Sequence, residues 1–387
     1  MQSKILTYMV EELRRVFRDP GVTVIFIVAT LAYPLIYKTI YWNEQITNVP
    51  VAVVDLSCSP QSREFLHKWN AAPDIRLTYT CTSMAEAEQL LRDQKVHGII
   101  YFPRDFANQL ADPLGQAHIS LYCDMSSFLY MKAIYLSCNQ VMLESMRNIQ
   151  IDRYEQMGIG KEFAWALVQD APYHETALFT PTGGYGSFLI PAVLVLILHQ
   201  TLFFGICMLG GTAREENQEN FGIRNLIGRS LAYFLIYYAL AAILLGFFPR
   251  LFGIPHIGAI GDILLLMIPY ILAVIFFSLC VSVFIRNRES GLVLLISTSL
   301  IFLFMAGISW PKEMIPDAWW YIACCIPYTF GSHAFIHINS MGASLATTST
   351  EFIALCIQTV VYSFLACVLF RVRQKWQMKK IVSETNA

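Results

Sequence analysis

The sequence predicts an α-helical polytopic membrane protein, six transmembrane helices plus an external α/β domain, on three observations. Hydrophobic residues make up 56% of the 387 and charged residues only 14%, against about 25% charged in soluble proteins. The charge is segregated, with residues 43–180 holding 26 of the 55 charged side chains. Six apolar runs, near 21–41, 187–210, 229–248, 262–285, 290–309 and 352–370, each meet the roughly 20 residues that a helix needs to cross a bilayer. A formal net charge of −1 excludes a strongly basic nucleic-acid binder, and so much apolar sequence excludes a disordered chain.

The first element, residues 1–20, reads as a cytoplasmic interfacial helix. Ile5, Met9, Leu13, Val16 and Phe17 share one helical face, while Glu11, Glu12, Arg14, Arg15 and Arg18 fall mostly on another, which suits a helix lying on the inner leaflet. Asp19-Pro20-Gly21 should turn the chain into the first span, 21–41. That span lacks a small-residue cleavage site and reads as a retained anchor, with Lys38 near enough to its end to reach the interface.

The external domain, 42–186, alternates β-like and helical runs: Val51–Asp55, a helix over 59–70, Ile75–Tyr79, a helix over 83–93, Gly98–Phe102 and Ile119–Tyr122. A long helical stretch over 126–157 and a shorter one over 161–169 follow, and Pro172 and Pro181 return the chain to the membrane. Cys58 and Cys81 each follow a β-like run. Parallel neighbouring strands would bring them to one edge, so a Cys58–Cys81 disulfide and a pair of free thiols both stand open.

The membrane domain, 187–371, carries spans two to six, a cytoplasmic loop over 211–228 and an outer segment over 310–345, before a basic tail, 372–387. Orientation follows from the basic residues of the flanks. Fourteen lie on one side, including Arg14, Arg15, Arg214, Arg229, Arg286, Arg288 and Arg371, against only Arg250 and Lys312 on the other. This places both termini in the cytoplasm.

No nucleotide-binding loop, HExxH, CxxC or GxSxG occurs, so no catalytic residue, metal site or cofactor is expected in this chain. His333 and His337 have the spacing to share a metal but lack a third ligand. Polar residues inside spans are costly. Ser297, Thr298 and Ser299 can bond carbonyls of their own helix, whereas His199 and Gln200 either line a pathway or bridge helices.

One stretch is more specific. Phe304-Met305-Ala306-Gly307-Ile308-Ser309-Trp310-Pro311, followed by Pro316, Trp319, Trp320, Pro327 and Gly342, resembles the permease subunit of ABC-2 type transporters, the type V exporter fold. Arg18-Asp19-Pro20 resembles that family's approach to the first span. Val51–Asp55 with Ser62-Arg63, Gly98–Phe106 and Asp124 resemble the subgroup with a large external domain between spans one and two. Arg214-Glu215 resembles the family's coupling loop, with Asn220-Phe221-Gly222 standing where Gly-Thr is usual.

The resemblance implies a multi-pass protein of the cell (inner) membrane that exports an amphipathic substrate such as a drug or lipid. Its implied partners are a cytoplasmic ABC ATPase that binds ATP and Mg, a second permease copy or similar permease, and a periplasmic membrane-fusion adaptor as a further candidate. Arg214, Glu215, Glu216, Glu219, Arg14 and Arg15 are the expected ATPase-coupling residues. Tyr33, His199, Gln200, Phe302, Met305 and Gly307 are the expected substrate-pathway residues. A membrane receptor or phage-adsorption-type protein without an ATPase partner is the alternative.

Overall fold

The computed structural model describes residues 2–112, 115–168, 178–179, 184–216, 218 and 221–385. The chain divides into two compact units, Met1–Glu44 with Ala177–Ala387, and Gln45–Thr176.

In the first unit, α1 (Gln2–Arg18) stops where Asp19 turns extended, at φ −88° and ψ 108°. The Asp19 carboxylate accepts from the Val22 amide at 3.1 Å, and Pro20 occupies the first turn of α2 (Pro20–Ile40), where its missing N–H costs nothing.

The second unit is built on a four-stranded sheet. Its elements are β1 (Val49–Asp55), α3 (Pro60–Ala71), β2 (Ile75–Cys81), α4 (Met84–Arg92), β3 (Gly98–Phe102), α5 (Phe106–Ala111), β4 (Ser120–Cys123), α6 (Phe128–Gln156) and α7 (Lys161–Val168). The strand order is β2-β1-β3-β4; β1 pairs in parallel with β2 and β3, and β4 runs antiparallel on β3. Alternation sends Val49, Val51, Ile100 and Phe102 to one face, with Phe65, Trp69 and Ile134, and sends Ala52, Val54 and Ile99 to the other, with Ala87 and Val96. Ser59 and Ser83 cap the helices after β1 and β2, each accepting a backbone N–H in the first turn. The short α5 was not expected from the sequence.

The first unit continues with α8 (Tyr185–Glu215), α9 (Ile223–Leu251), α10 (Ile260–Ser282), α11 (Arg288–Met305), α12 (Asp317–Cys324), α13 (Pro327–Met341) and α14 (Ser349–Thr385). Among the described residues, six of its helices are long and apolar enough to span a membrane: α2, α8, α9, α10, α11 and α14. The loop expected over 211–228 is much shorter, because α8 runs on through Arg214 and Glu215 and α9 already begins at Ile223. Gly307 takes φ +75° just beyond α11, a conformation that ends a right-handed helix and that only glycine adopts without cost.

Buried residues are concentrated on α8 and α10, whereas α2, α11 and α14 keep wide apolar faces uncovered. Close approach is set by small residues. A Cβ on Gly205 would lie 1.8 Å from the Phe26 ring, and one on Gly228 would lie 2.6 Å from Tyr8 Cβ and 3.1 Å from the Ile5 carbonyl oxygen. Gly228 is thus what lets α1 lie directly on α9.

Cys58 and Cys81 do not form the disulfide considered from the sequence; both thiols are free. The strands are parallel neighbours, with Val54 opposite Cys81, but the side chains diverge. Cys81 is buried with Val54 and Ala87, while Cys58 sits on an exposed turn at φ 48° with its thiol donating to the Asp55 carbonyl at 3.4 Å.

Candidate functional site

The amphipathic pattern of α1 leads to a site at the end of the first unit where this helix docks. A cleft of about 780 Å³ is lined there by residues of α1, the α1–α2 junction, the end of α8, and the starts of α9 and α11. Arg14, Arg15 and Arg18 face it from α1, Glu216 and Gln218 from the end of α8, and Arg229 and Arg288 from α9 and α11.

Two ion pairs fix its walls. Arg229 Nε donates to Glu12 Oε2 at 3.1 Å, and the Tyr233 hydroxyl donates to the other Glu12 oxygen. Glu12 is 5% exposed and Arg229 9%, so the charged face expected to lie towards water or headgroups is in part a buried contact. Arg288 forms a two-pronged bond with Asp19, at 2.5 and 2.7 Å, and also donates to Thr212 Oγ1 at 3.2 Å. The guanidinium holds the Asp19 carboxyl below its ordinary pKa, reinforced by the Val22 amide. Geometry of this kind makes Arg the suited partner for a carboxylate.

Arg214 and Glu215 hold the turn between α10 and α11. Arg214 donates to the Val283 carbonyl at 2.8 Å and to the Ile285 carbonyl, while Glu215 Oε1 accepts from the Arg288 backbone N–H at 3.0 Å. A cation meets carbonyls beyond a helix C-terminus and an anion meets an amide at a helix N-terminus, the arrangement that helix-end partial charges favour. Gly211 makes room for it, since a Cβ there would lie 2.7 Å from the Asn287 carbonyl.

The structure therefore brings Arg14, Arg15 and Glu216 to one cleft and gives Arg214 and Glu215 an internal clamp beside it. Glu219 lies outside the described residues. One guanidinium nitrogen of Arg15 is buried with no hydrogen-bond partner among the described residues. Glu12, Asp19, Arg229 and Arg288 were not singled out as site residues from the sequence. Their signal was only a charge on the polar face of α1 or near a span end, with partners 217 and 269 residues away.

The expected pathway residues are divided. His199 is fully buried on α8 among the rings of Phe203, Phe277, Phe302 and Tyr328, with Phe302 edge-on at 5.4 Å. Gln200 is also buried, and neither its amide nor the His199 ring has a hydrogen-bond partner among the described residues. Gly307 lies by Trp320 and His333, and Met305 is half-buried. Tyr33 is 49% exposed on α2 and is not among the rings around His199. His333 Nε2 is 2.7 Å from the Ala306 carbonyl oxygen, and His337 is 3.8 Å from Glu351.

The sequence profile described as ABC-2 family transporter protein matches residues 21–368, about nine-tenths of the chain. The chain belongs to the ABC-2 transporter family. It is a multi-pass membrane protein and an ABC transporter permease of a family whose members generally are non-catalytic and work with a cytoplasmic ABC ATPase. No curated protein matches the chain. In this permease the cleft joins the helix that precedes the first span to the ends of three later ones.

Proposed function

We propose that this chain is the transmembrane subunit of an ATP-driven exporter that moves an amphipathic molecule, a drug or lipid, out of the cytoplasm or inner leaflet. It works as a dimer with a second copy or a similar permease. A separate cytoplasmic ABC ATPase supplies the energy and binds the ATP and Mg. Both termini are cytoplasmic in this reading, and the α/β unit lies outside.

The observation that carries the reading is the convergence of Arg14, Arg15 and Glu216 on one cleft whose walls are joined by two ion pairs, Glu12–Arg229 buried and Asp19–Arg288 partly exposed. A partner seated there moves α1 and the end of α8. The Glu12–Arg229 pair passes that motion to α9, and the Asp19–Arg288 pair and the Arg214-Glu215 clamp pass it to the α10–α11 turn. Arg14, Arg15 and Glu216 make the contact, while Arg214 and Glu215 transmit it. Along the route, His199 and Gln200 present unpaired polar atoms that become available to a substrate's polar head when α8 and α11 separate. An unpartnered buried polar group is costly, so such a position favours exchange with a mobile ligand over static packing.

Purification of the chain from its native membrane, followed by mass spectrometry of the associated subunits, tests this. An ABC ATPase in stoichiometric amount is the expected result; a complex without any ATPase removes the proposal.

A further inference from the structure

A second cavity lies wholly within the α/β unit. It occupies about 610 Å³ at the open edge of the sheet, where α6 leaves the β4 end incompletely filled. Its floor is Trp69 and Ile100, both about 1% exposed, and the Trp69 indole is fixed by donating to the Cys138 carbonyl at 3.3 Å. Phe65 and Phe102 pack behind that ring, at 5.6 and 5.8 Å. One wall is a stripe of α6, Met131, Tyr135, Cys138, Asn139 and Met142, and the other is β4. Tyr122, Met125 and Tyr135, at the mouth, are 47%, 73% and 55% exposed.

The chemistry of the lining is one-sided. It contains no charged side chain; it is made of aromatic rings, thioethers, thiols and aliphatic groups, and Asn139 is its only carboxamide. A volume of this size falls within the roughly 300–1,000 Å³ of small-molecule sites, which pair an apolar wall with a few polar groups that orient the ligand. Thioethers and aromatic edges both favour contact with aromatic ligands. The indole floor is fixed before a ligand arrives, so that part of the site adds no ordering cost to binding.

We infer that the cavity between β4 and α6 is a binding site for an uncharged, largely aromatic small molecule, held by the Trp69 floor and the methionine-lined wall and oriented by a hydrogen bond to Asn139. The α/β unit is then a ligand-binding module in its own right, and this conclusion does not depend on the coupling reading of the first unit.

The test uses the full chain in lipid nanodiscs and benzophenone, a neutral diaryl ketone that on irradiation inserts preferentially into methionine C–H bonds. Saturable adducts are expected at Met131 and Met142, half-saturating on the order of 0.1 mM, well above those at Met157, which is exposed on the same unit but outside the cavity. Met142→Trp, which fills the space, should abolish the Met131 adduct, and Asn139→Ala should raise the half-saturating concentration about five-fold. In unmodified protein, benzophenone should slow alkylation of the half-exposed Cys123 by N-ethylmaleimide, a readout independent of any variant's folding. Labelling that does not saturate, that favours Met157, or that links two chains through the cavity would overturn the inference. So would Cys123 alkylation unaffected by the ketone.

Discussion

Replacing Glu12 by Ala strips the acceptors from a guanidinium and a phenol that are buried together beneath α1. The Arg229 and Glu12 side chains are only 11% and 6% exposed, so solvent does little to relieve the charge left behind. Removing one member of such a pair costs about 3–5 kcal/mol. The cost falls on the docking of α1 against α9, because those are the helices the pair joins. At the lower figure, the opening equilibrium of α1 rises roughly 150-fold, a tenfold change per 1.4 kcal/mol. Amide hydrogen exchange of residues 5–15 in nanodiscs reads that equilibrium directly. Glu12→Ala should accelerate exchange by that order, whereas Glu12→Leu combined with Arg229→Leu should recover much of the protection, since no uncompensated charge remains. Wild-type exchange in Glu12→Ala, or a double variant as fast as the sum of both single changes, would refute the pair as the link between α1 and α9.

Two further outcomes follow from the charges. Because Arg288 holds the Asp19 carboxyl below its usual pKa, the pair's contribution is complete above about pH 4, the ordinary carboxylate value, and is lost as pH falls through the lowered pKa. Asp19→Asn, which keeps a helix-capping side chain, should therefore cost about 1 kcal/mol at neutral pH and nothing at strongly acid pH, as measured by thermal unfolding across pH; the partial exposure of Arg288 keeps the figure small. A cysteine at Gln116 should react with an impermeant thiol reagent in cells stripped of any outer barrier, while one at Gln374 should be protected. Equal labelling at both positions would reverse or remove the assigned orientation.

The spans were legible because each is a long apolar run that only a membrane or a deep core can accommodate. The order of strands and helices from Val49 to Arg92 was legible because short β-like runs, VPVAVVD and IRLTYTC, alternate with longer helical ones. Glu12 was not legible, since a 3.6-residue period separates apolar from polar faces but cannot show that a carboxylate on the polar face meets an arginine on another helix. Arg214 and Glu215 stand out in the sequence as polar residues at a span end. Their engagement of the α10–α11 turn depends on where that turn lies in space, which no local pattern encodes. Cys58 and Cys81 show the same boundary: the β-like runs before them were readable, whereas the pairing of those strands and the direction of the two side chains, set by the tight turn at Asp55–Ser59, were not.

The most direct test of the account measures ATP hydrolysis by the associated ABC ATPase reconstituted with this chain, comparing wild type with Arg14→Ala/Arg15→Ala/Glu216→Ala. All three side chains line the cleft without belonging to its two ion pairs, so the substitutions spare the fold. Wild type is expected to stimulate hydrolysis, and the triple variant, equally well assembled in the membrane, is not. Full stimulation by the triple variant would contradict the placement of coupling at this cleft.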